Sequence, residues 1–239
     1  MISEAHLMDC MDYMATIPDK WFDLAVVDPP YGIGQPKQAN LKGYNGRPSL
    51  GDRIIKNRLN GGSGKLKNRT LNTSNCNWDD AIPTPEYFTE LKRISQNQII
   101  WGGNYFPLPP TRCVICWDKV QPWENFSQIE IAWTSFDSPA RLFRFDNRIG
   151  GKIHPTAKPI ALYQWIYNNY LPQGGKVIDT HLGSGSNRIA ADKAGNIDFY
   201  ATEIDKDYFD AQGKRWREYK AQAVIDFPET IETKQTELF

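Results

Sequence analysis

Four apolar residues, Leu24 to Val27, run straight into Asp28, two prolines and Tyr31 in the stretch LAVVDPPYGIG. A run with no polar face needs cover on both sides, which is the condition of a strand inside a parallel sheet. Proline cannot continue a central strand, so the strand ends at Asp28 and the chain leaves it along a stiff, polar, aromatic turn. Other segments follow the same logic. HLMDC is a short strand and DYMATIPDKWF a short helix or turn. TPEYFTELKRIS is an amphipathic helix with Thr84 as N-cap and Tyr87, Phe88, Leu91 and Ile94 on one face. NQIIWGGN is a strand that ends in Gly-Gly, and TRCVICWDKV and QIEIAWTSF are two strands close enough to pair. KPIALYQWIYNNYL is a helix after a proline, GKVIDTHLGSGS a strand running into a glycine turn, and NRIAADKAG a helix with a glycine stop. DFYATEID is a strand and KDYFDAQGKRWREYKAQ a helix. Strands alternating with helices predict an α/β sheet with helices on both faces.

The chain has 239 residues, enough for one domain with a sizeable core. Residues 1–226 are expected to form it, with a basic insertion over 33–77 and a tail over 227–239. No apolar run approaches the length of a membrane span. MISEAHLMDCMDYM has neither a basic start nor a long apolar stretch, so a cytoplasmic location is expected. Of the four cysteines, Cys113 and Cys116 lie in one CxxC within a strand pattern. They read as strand cysteines rather than zinc ligands, and no metal is expected.

The net charge is zero but unevenly spread. Between Ile33 and Asn77 nine basic residues (Lys37, Lys42, Arg47, Arg53, Lys56, Arg58, Lys65, Lys67 and Arg69) face one acid, Asp52, which leaves this segment at +8 and the remainder at −8. A basic block on a neutral chain points to local contact with a polyanion. Its bland reading is a solvated loop.

VIDTHLGSGSNRIAA is strand, tight turn and helix. Gly183 and Gly185 allow close backbone approach, and the helix start offers unpaired N–H groups. Glu203 follows Gly183 by 20 residues, at the end of the next strand, where an acid can accept bonds from ribose hydroxyls. Together they suggest a nucleoside-containing cofactor. The match to G-x-G-x-x-G is incomplete because Arg188 stands at the third glycine, and a plain structural turn remains an alternative.

The turn after Val27 suits a planar ligand with an exocyclic amine. Tyr31 can stack on the ring, Asp28 or a backbone carbonyl can accept from the amine, and Pro29 and Pro30 hold both groups in place beforehand. A proline turn with a surface tyrosine is the bland reading.

Asp28-Pro29-Pro30-Tyr31 resembles the catalytic motif of the amino-group DNA methyltransferases, and DTHLGSGS resembles their S-adenosylmethionine motif, D-x-F-x-G-S-G-T. HPTAKP resembles the segment preceding that motif in one permuted subgroup, FYATEIDKDYF its acidic ribose-binding element, and HLMDC the Asp-Cys element bordering the cofactor adenine. The catalytic motif precedes the cofactor motif, as in the β order of the family. The look-alikes are small phage or bacterial orphan enzymes. His181 stands where Phe is usual and Ser186 where Thr is usual.

This resemblance implies a class I methyltransferase-like, Rossmann-like sheet of seven mostly parallel strands with helices on both faces. KVIDT and FYATEID are its first two strands, HLMDC, LAVVDPP and QIIWGGN its third to fifth, and the last two form an antiparallel pair. It implies Asp28, Pro29, Pro30 and Tyr31 as catalytic residues. It implies a cofactor set of Asp9, Cys10, Asp28, His154, Thr156, Lys158, Asp179, His181, Leu182, Gly183, Ser184, Gly185, Ser186, Glu203 and Ile204. The cofactor is S-adenosylmethionine, with S-adenosylhomocysteine as product.

The reaction implied is methyl transfer to the N6 amine of a flipped adenine in DNA, since Asp rather than Ser leads the motif. N4 of cytosine is the alternative, followed by an RNA or protein amine or a nicotinamide-dependent oxidation. A non-catalytic DNA-binding module is argued against by the intact turn. The target-recognition region would be small. Arg141, Arg144 and Arg148 lie in its usual place, and the basic segment after Gly34 is the stronger candidate for DNA contact. The tail QTELF, Gln235 to Phe239, resembles the bacterial sliding-clamp-binding peptide, which implies a clamp as partner. The resemblance also raises a homodimer.

Overall fold

A computed structural model describes residues 1–33, 79, 81–120, 127–146 and 157–225. The basic residues of 33–77 from Lys37 to Arg69, together with Arg148, His154, Thr156 and the tail, lie outside these residues.

Eight strands form one sheet: β1 (Ser3–Leu7), β2 (Phe22–Val27), β3 (Ser95–Trp101), β4 (Val114–Asp118), β5 (Ile129–Thr134), β6 (Arg141–Arg144), β7 (Gly175–Asp179) and β8 (Ile197–Glu203). Their order is β1-β8-β7-β2-β3-β5-β4-β6. β1, β8, β7, β2 and β3 run parallel, and β5 is antiparallel to both β3 and β4. Six of these seven strands lie where the sequence placed them; the strand expected over HLMDC is shifted to Ser3–Leu7, because Asp9 caps a helix that Cys10 begins. The eighth, β6, was not expected: it is a four-residue edge strand parallel to β4. Its Arg-Leu-Phe-Arg pattern is short and charged, as edges that must avoid further pairing tend to be.

The helices are α1 (Cys10–Ala15), α2 (Pro85–Ile94), α3 (Ile160–Tyr170), α4 (Ser186–Ala194) and α5 (Lys206–Ile225). Thr84 holds the N-cap position of α2, though its hydroxyl makes no capping bond. β2 shows why its sequence is apolar throughout. Leu24 and Val26 join a core with α3 and α4 on one face, while Ala25 and Val27 join a core with α1 and α2 on the other.

Sheet order places the functional motifs. From β7 the chain passes through α4 outward to β8. From β2 it reaches β3 on the opposite side through a connection containing α2. The order therefore reverses between the neighbours β7 and β2, and in open α/β sheets ligands bind at the carboxyl ends of strands at such a reversal. Asp28 directly follows β2, and Thr180 and His181 directly follow β7.

Candidate active site

Asp28 and Tyr31 meet through their own side chains. The Tyr31 hydroxyl donates to Asp28 Oδ1 at 2.6 Å. The turn is pinned from behind by Asp79, whose Oδ1 accepts from the backbone N–H of Tyr31 (2.7 Å) and of Gly32 (2.9 Å). Asp79 is almost fully buried. Sequence reasoning passed over it, although an acid directly after a long basic segment was a visible signal.

The Tyr31 ring packs against aromatic and backbone groups. Tyr105 stacks on it at 5.0 Å between centroids and 14° between planes, and Phe106 meets it edge-on. Gly102 lies against the same ring: a Cβ there would sit 2.2 Å from Tyr31 Cε1. The Gly-Gly that closes β3 is thus a close approach as well as a turn. Beside this ring opens a cavity of about 190 Å³ lined by Tyr31, Asn104, Tyr105, Lys119, Ser127 and Glu130 among others.

Lys158, expected in the cofactor set, has its ammonium 2.5 Å from Asp28 Oδ2 and 3.2 Å from Glu130 Oε2, and it donates to the Tyr31 hydroxyl at 3.2 Å. Its side chain is 1% exposed. Burial penalises the ammonium, but Asp28 and Glu130 outweigh that penalty and hold its pKa above the ordinary lysine value. Glu130, partly buried, is kept below the ordinary value by Lys158 and Lys119 against the effect of its burial. Its participation was not read from the sequence, where it is one acid in an apolar strand.

The second half of the site is the glycine turn. Gly183 and Gly185 both have positive φ, at 51° and 72°. Gly185 caps α4 without any side-chain cap, so the helix start keeps donors for a ligand. The nearest atom to a Cβ built on Gly183 is the His181 carbonyl oxygen, at 3.8 Å, which leaves open space over the turn. Glu203 receives the N–H of Gly183 at 2.8 Å and of Asp205 at 2.9 Å, and burial raises its pKa.

Asp179 is buried beneath the turn, and burial pushes its pKa up to about 7 despite bonds from Asn187 and the His181 N–H. His181 is half-buried, and desolvation pushes its pKa down to about 4, so its imidazole is neutral at physiological pH. It hydrogen-bonds Thr180 at 2.9 Å and meets the Tyr87 ring edge-on. Asn187 ties the two halves together. Its Nδ2 donates to Val26 O at 3.2 Å and to Asp179 Oδ2 at 2.9 Å, and its Oδ1 accepts from Tyr167.

Asp9 caps α1 by accepting from the Met11 N–H, and Cys10 begins that helix. Leu7 and Ile204 are exposed at neighbouring strand ends. Arg141 and Arg144 are exposed on β6, where Arg141 donates to Asn169 and Arg144 pairs with Asp118. Among the described residues no cluster of His, Cys, Asp or Glu could hold a metal ion, and no helix is long and apolar enough to cross a membrane.

Residues 100–214 match the family model N6_N4_Mtase, described as DNA methylase. The matched span covers a little under half of the chain and contains the glycine turn and Glu203, while the Asp28 turn precedes it. Among solved structures, the fold is similar to the M1.HpyAVI–SAM complex, at 16% identity and TM-score 0.53, covering 90% of this chain and 100% of that one. It is also similar to the cytosine-N4-specific PvuII DNA methyltransferase, at 11% identity and TM-score 0.55, covering 90% and 86%. No curated protein matches.

Proposed function

We propose that the chain is an S-adenosylmethionine-dependent DNA methyltransferase acting on the exocyclic N6 amine of a flipped adenine. The observation that carries this reading is the placement of Asp28–Tyr31 and the His181–Gly185 turn at the carboxyl ends of adjacent strands, where the sheet order reverses. An amine acceptor and a nucleoside-cofactor cradle then share one crevice. The family match of residues 100–214 supports it, as does a fold neighbour solved with SAM.

The donor set fits the cofactor. The uncapped start of α4 suits a carboxylate, Asp179 a cationic group and Glu203 ribose hydroxyls. Leu7 and Ile204 offer apolar surface for the adenine. His181, being neutral, adds no like charge next to a sulfonium. When bound, S-adenosylmethionine supplies a methyl group already activated on sulfur.

The protein's part is positioning and electrostatics. Tyr31 stacks on the extruded base, which reaches the site only by leaving the duplex. Asp28 and the Pro29 carbonyl accept from the amine, orienting its lone pair and stabilising the positive charge that grows on nitrogen. Proline at positions 29 and 30 limits movement of these acceptors. No thiol is needed as a nucleophile, because the amine itself attacks.

The basic segment between Ile33 and Asn77 leaves the catalytic turn directly and is the proposed DNA contact, with Arg141, Arg144 and Arg148 secondary. A sliding clamp bound through Gln235–Phe239, a homodimer and a cytoplasmic location complete the proposal.

Methyl-labelled cofactor with duplexes of defined composition tests the base. Label entering an A·T-only duplex, with none entering a G·C-only duplex, is the expected result. The reverse assigns N4 of cytosine and overturns the adenine assignment.

A further inference from the structure

We propose that Lys158 and Glu130 form a positioning pair for Asp28, joining the antiparallel β4–β5 edge to the catalytic turn; this rests on the methyl-transfer reading above. The side chains form an alternating row of charges. Asp28 Oδ2 meets Lys158 Nζ at 2.5 Å, Lys158 meets Glu130 at 3.2 Å, and Glu130 meets Lys119 at the end of β4. Such a row is neutral as a whole. A lone carboxylate or ammonium at this depth would carry a large desolvation cost.

The arrangement has three consequences. Lys158 touches both Asp28 and the Tyr31 hydroxyl, so one cation fixes the acceptor and the stacking residue relative to each other. Glu130 lines the cavity beside Tyr31, so whatever fills that cavity lies next to the carboxylate that holds Lys158. Finally, a cation on Asp28 opposes the positive charge developing on the amine, and Glu130 offsets that opposition by drawing the ammonium toward β5. The pair therefore sets how much negative charge Asp28 presents.

Other titratable groups facing Asp28 are Tyr31 in its own turn, Tyr87 on α2, Tyr163 on α3 and Asp179 on β7. The three tyrosines have pKa values raised well above the ordinary one, chiefly by burial. They stay neutral through the pH range of a methylation assay. Lys158, Glu130 and Asp179 remain as the charges that can act on Asp28.

The test is kcat and KM for DNA methylation by wild type, Lys158→Met, Lys158→Arg and Glu130→Gln. Lys158→Met should lower kcat about tenfold or more with KM for DNA changed by less than about threefold. Lys158→Arg, which keeps a cation beside Asp28, should restore kcat to within about threefold of wild type. Glu130→Gln should lower kcat with KM likewise kept. A purely structural role would neither confine the loss to kcat nor yield to rescue by a second cation. Glu130→Gln alone decides the matter if Lys158→Met fails to fold. An active wild type whose variants share its kcat overturns the pair and leaves the methyl-transfer reading standing. A wild type that methylates no DNA overturns that reading, and the pair with it.

Discussion

A Cβ on Gly102 would strike the Tyr31 ring at 2.2 Å, in a residue whose φ is already +72°. Both facts forbid a side chain there. Gly102→Ala should destabilise the protein by about 1–3 kcal/mol through backbone strain alone. The displaced ring should also lower kcat, measurable by thermal melting beside a methylation assay. An unchanged kcat would show that the ring's position is not needed. Asp79 acts on the same turn from the opposite side. Its carboxylate binds two successive backbone N–H groups, and Asp79→Ala would take this acceptor from both donors in a partly buried turn. A loss of about 1–3 kcal/mol is expected. The meeting of Asp28 and Tyr31 was legible because rigid backbone, acceptor and ring adjoin in the chain. Asp79, Lys158 and Glu130 were not legible as the turn's partners. They lie 48 or more positions from Tyr31 and Asp28, and only the sheet brings them close.

At the scale of elements, β7 and α4 carry the half proposed to hold the cofactor. Asp179 titrates near 7 in the fold, chiefly through burial, against about 4 when exposed. Between those values the folded chain keeps a proton that the unfolded chain has released. This group's contribution to stability is therefore present below about pH 4 and lost as pH rises through 7. Cofactor binding should run the other way, since a cation beside Asp179 favours its ionised form. The Kd for S-adenosylmethionine should tighten between about pH 6 and 8 with release of a proton. Calorimetry in two buffers of different ionisation enthalpy measures that proton. Asp179→Asn should abolish the dependence, and a wild-type Kd flat across this range would contradict the assignment. The strand, turn and helix here were readable from the sequence because apolar run, glycine pair and helix stop are local signals. The role of Asn187 was hidden, since its three partners come from β2, β7 and α3.

For the molecule as a whole, the sheet order explains why a chain with the proposed catalytic turn first can still build one crevice. β2 and β7 are neighbours although roughly 150 residues separate them, so either may come first in the chain. Seven strands were foreseen from alternation and resemblance. The eighth escaped because four residues with two arginines carry too weak a pattern to mark an edge strand. The uneven charge is the other molecular property, and it concerns DNA affinity. Binding should weaken steeply with salt. Replacing Lys65, Lys67 and Arg69 by Gln should reduce the slope of log K against log salt by about 0.9 for each phosphate that is no longer neutralised. Fluorescence anisotropy over a salt series reads this, and an unchanged slope would place the DNA elsewhere. The central claim is that Asp28 accepts from the amine while a methyl group is transferred to it. Nucleoside mass spectrometry on DNA treated with the wild type and with Asp28→Ala tests it most directly. The account predicts N6-methyladenine from the wild type and a loss of about 100-fold or more in the variant, with cofactor binding retained. Equal methylation by both proteins, or none by the wild type on duplex or single-stranded DNA, would contradict it.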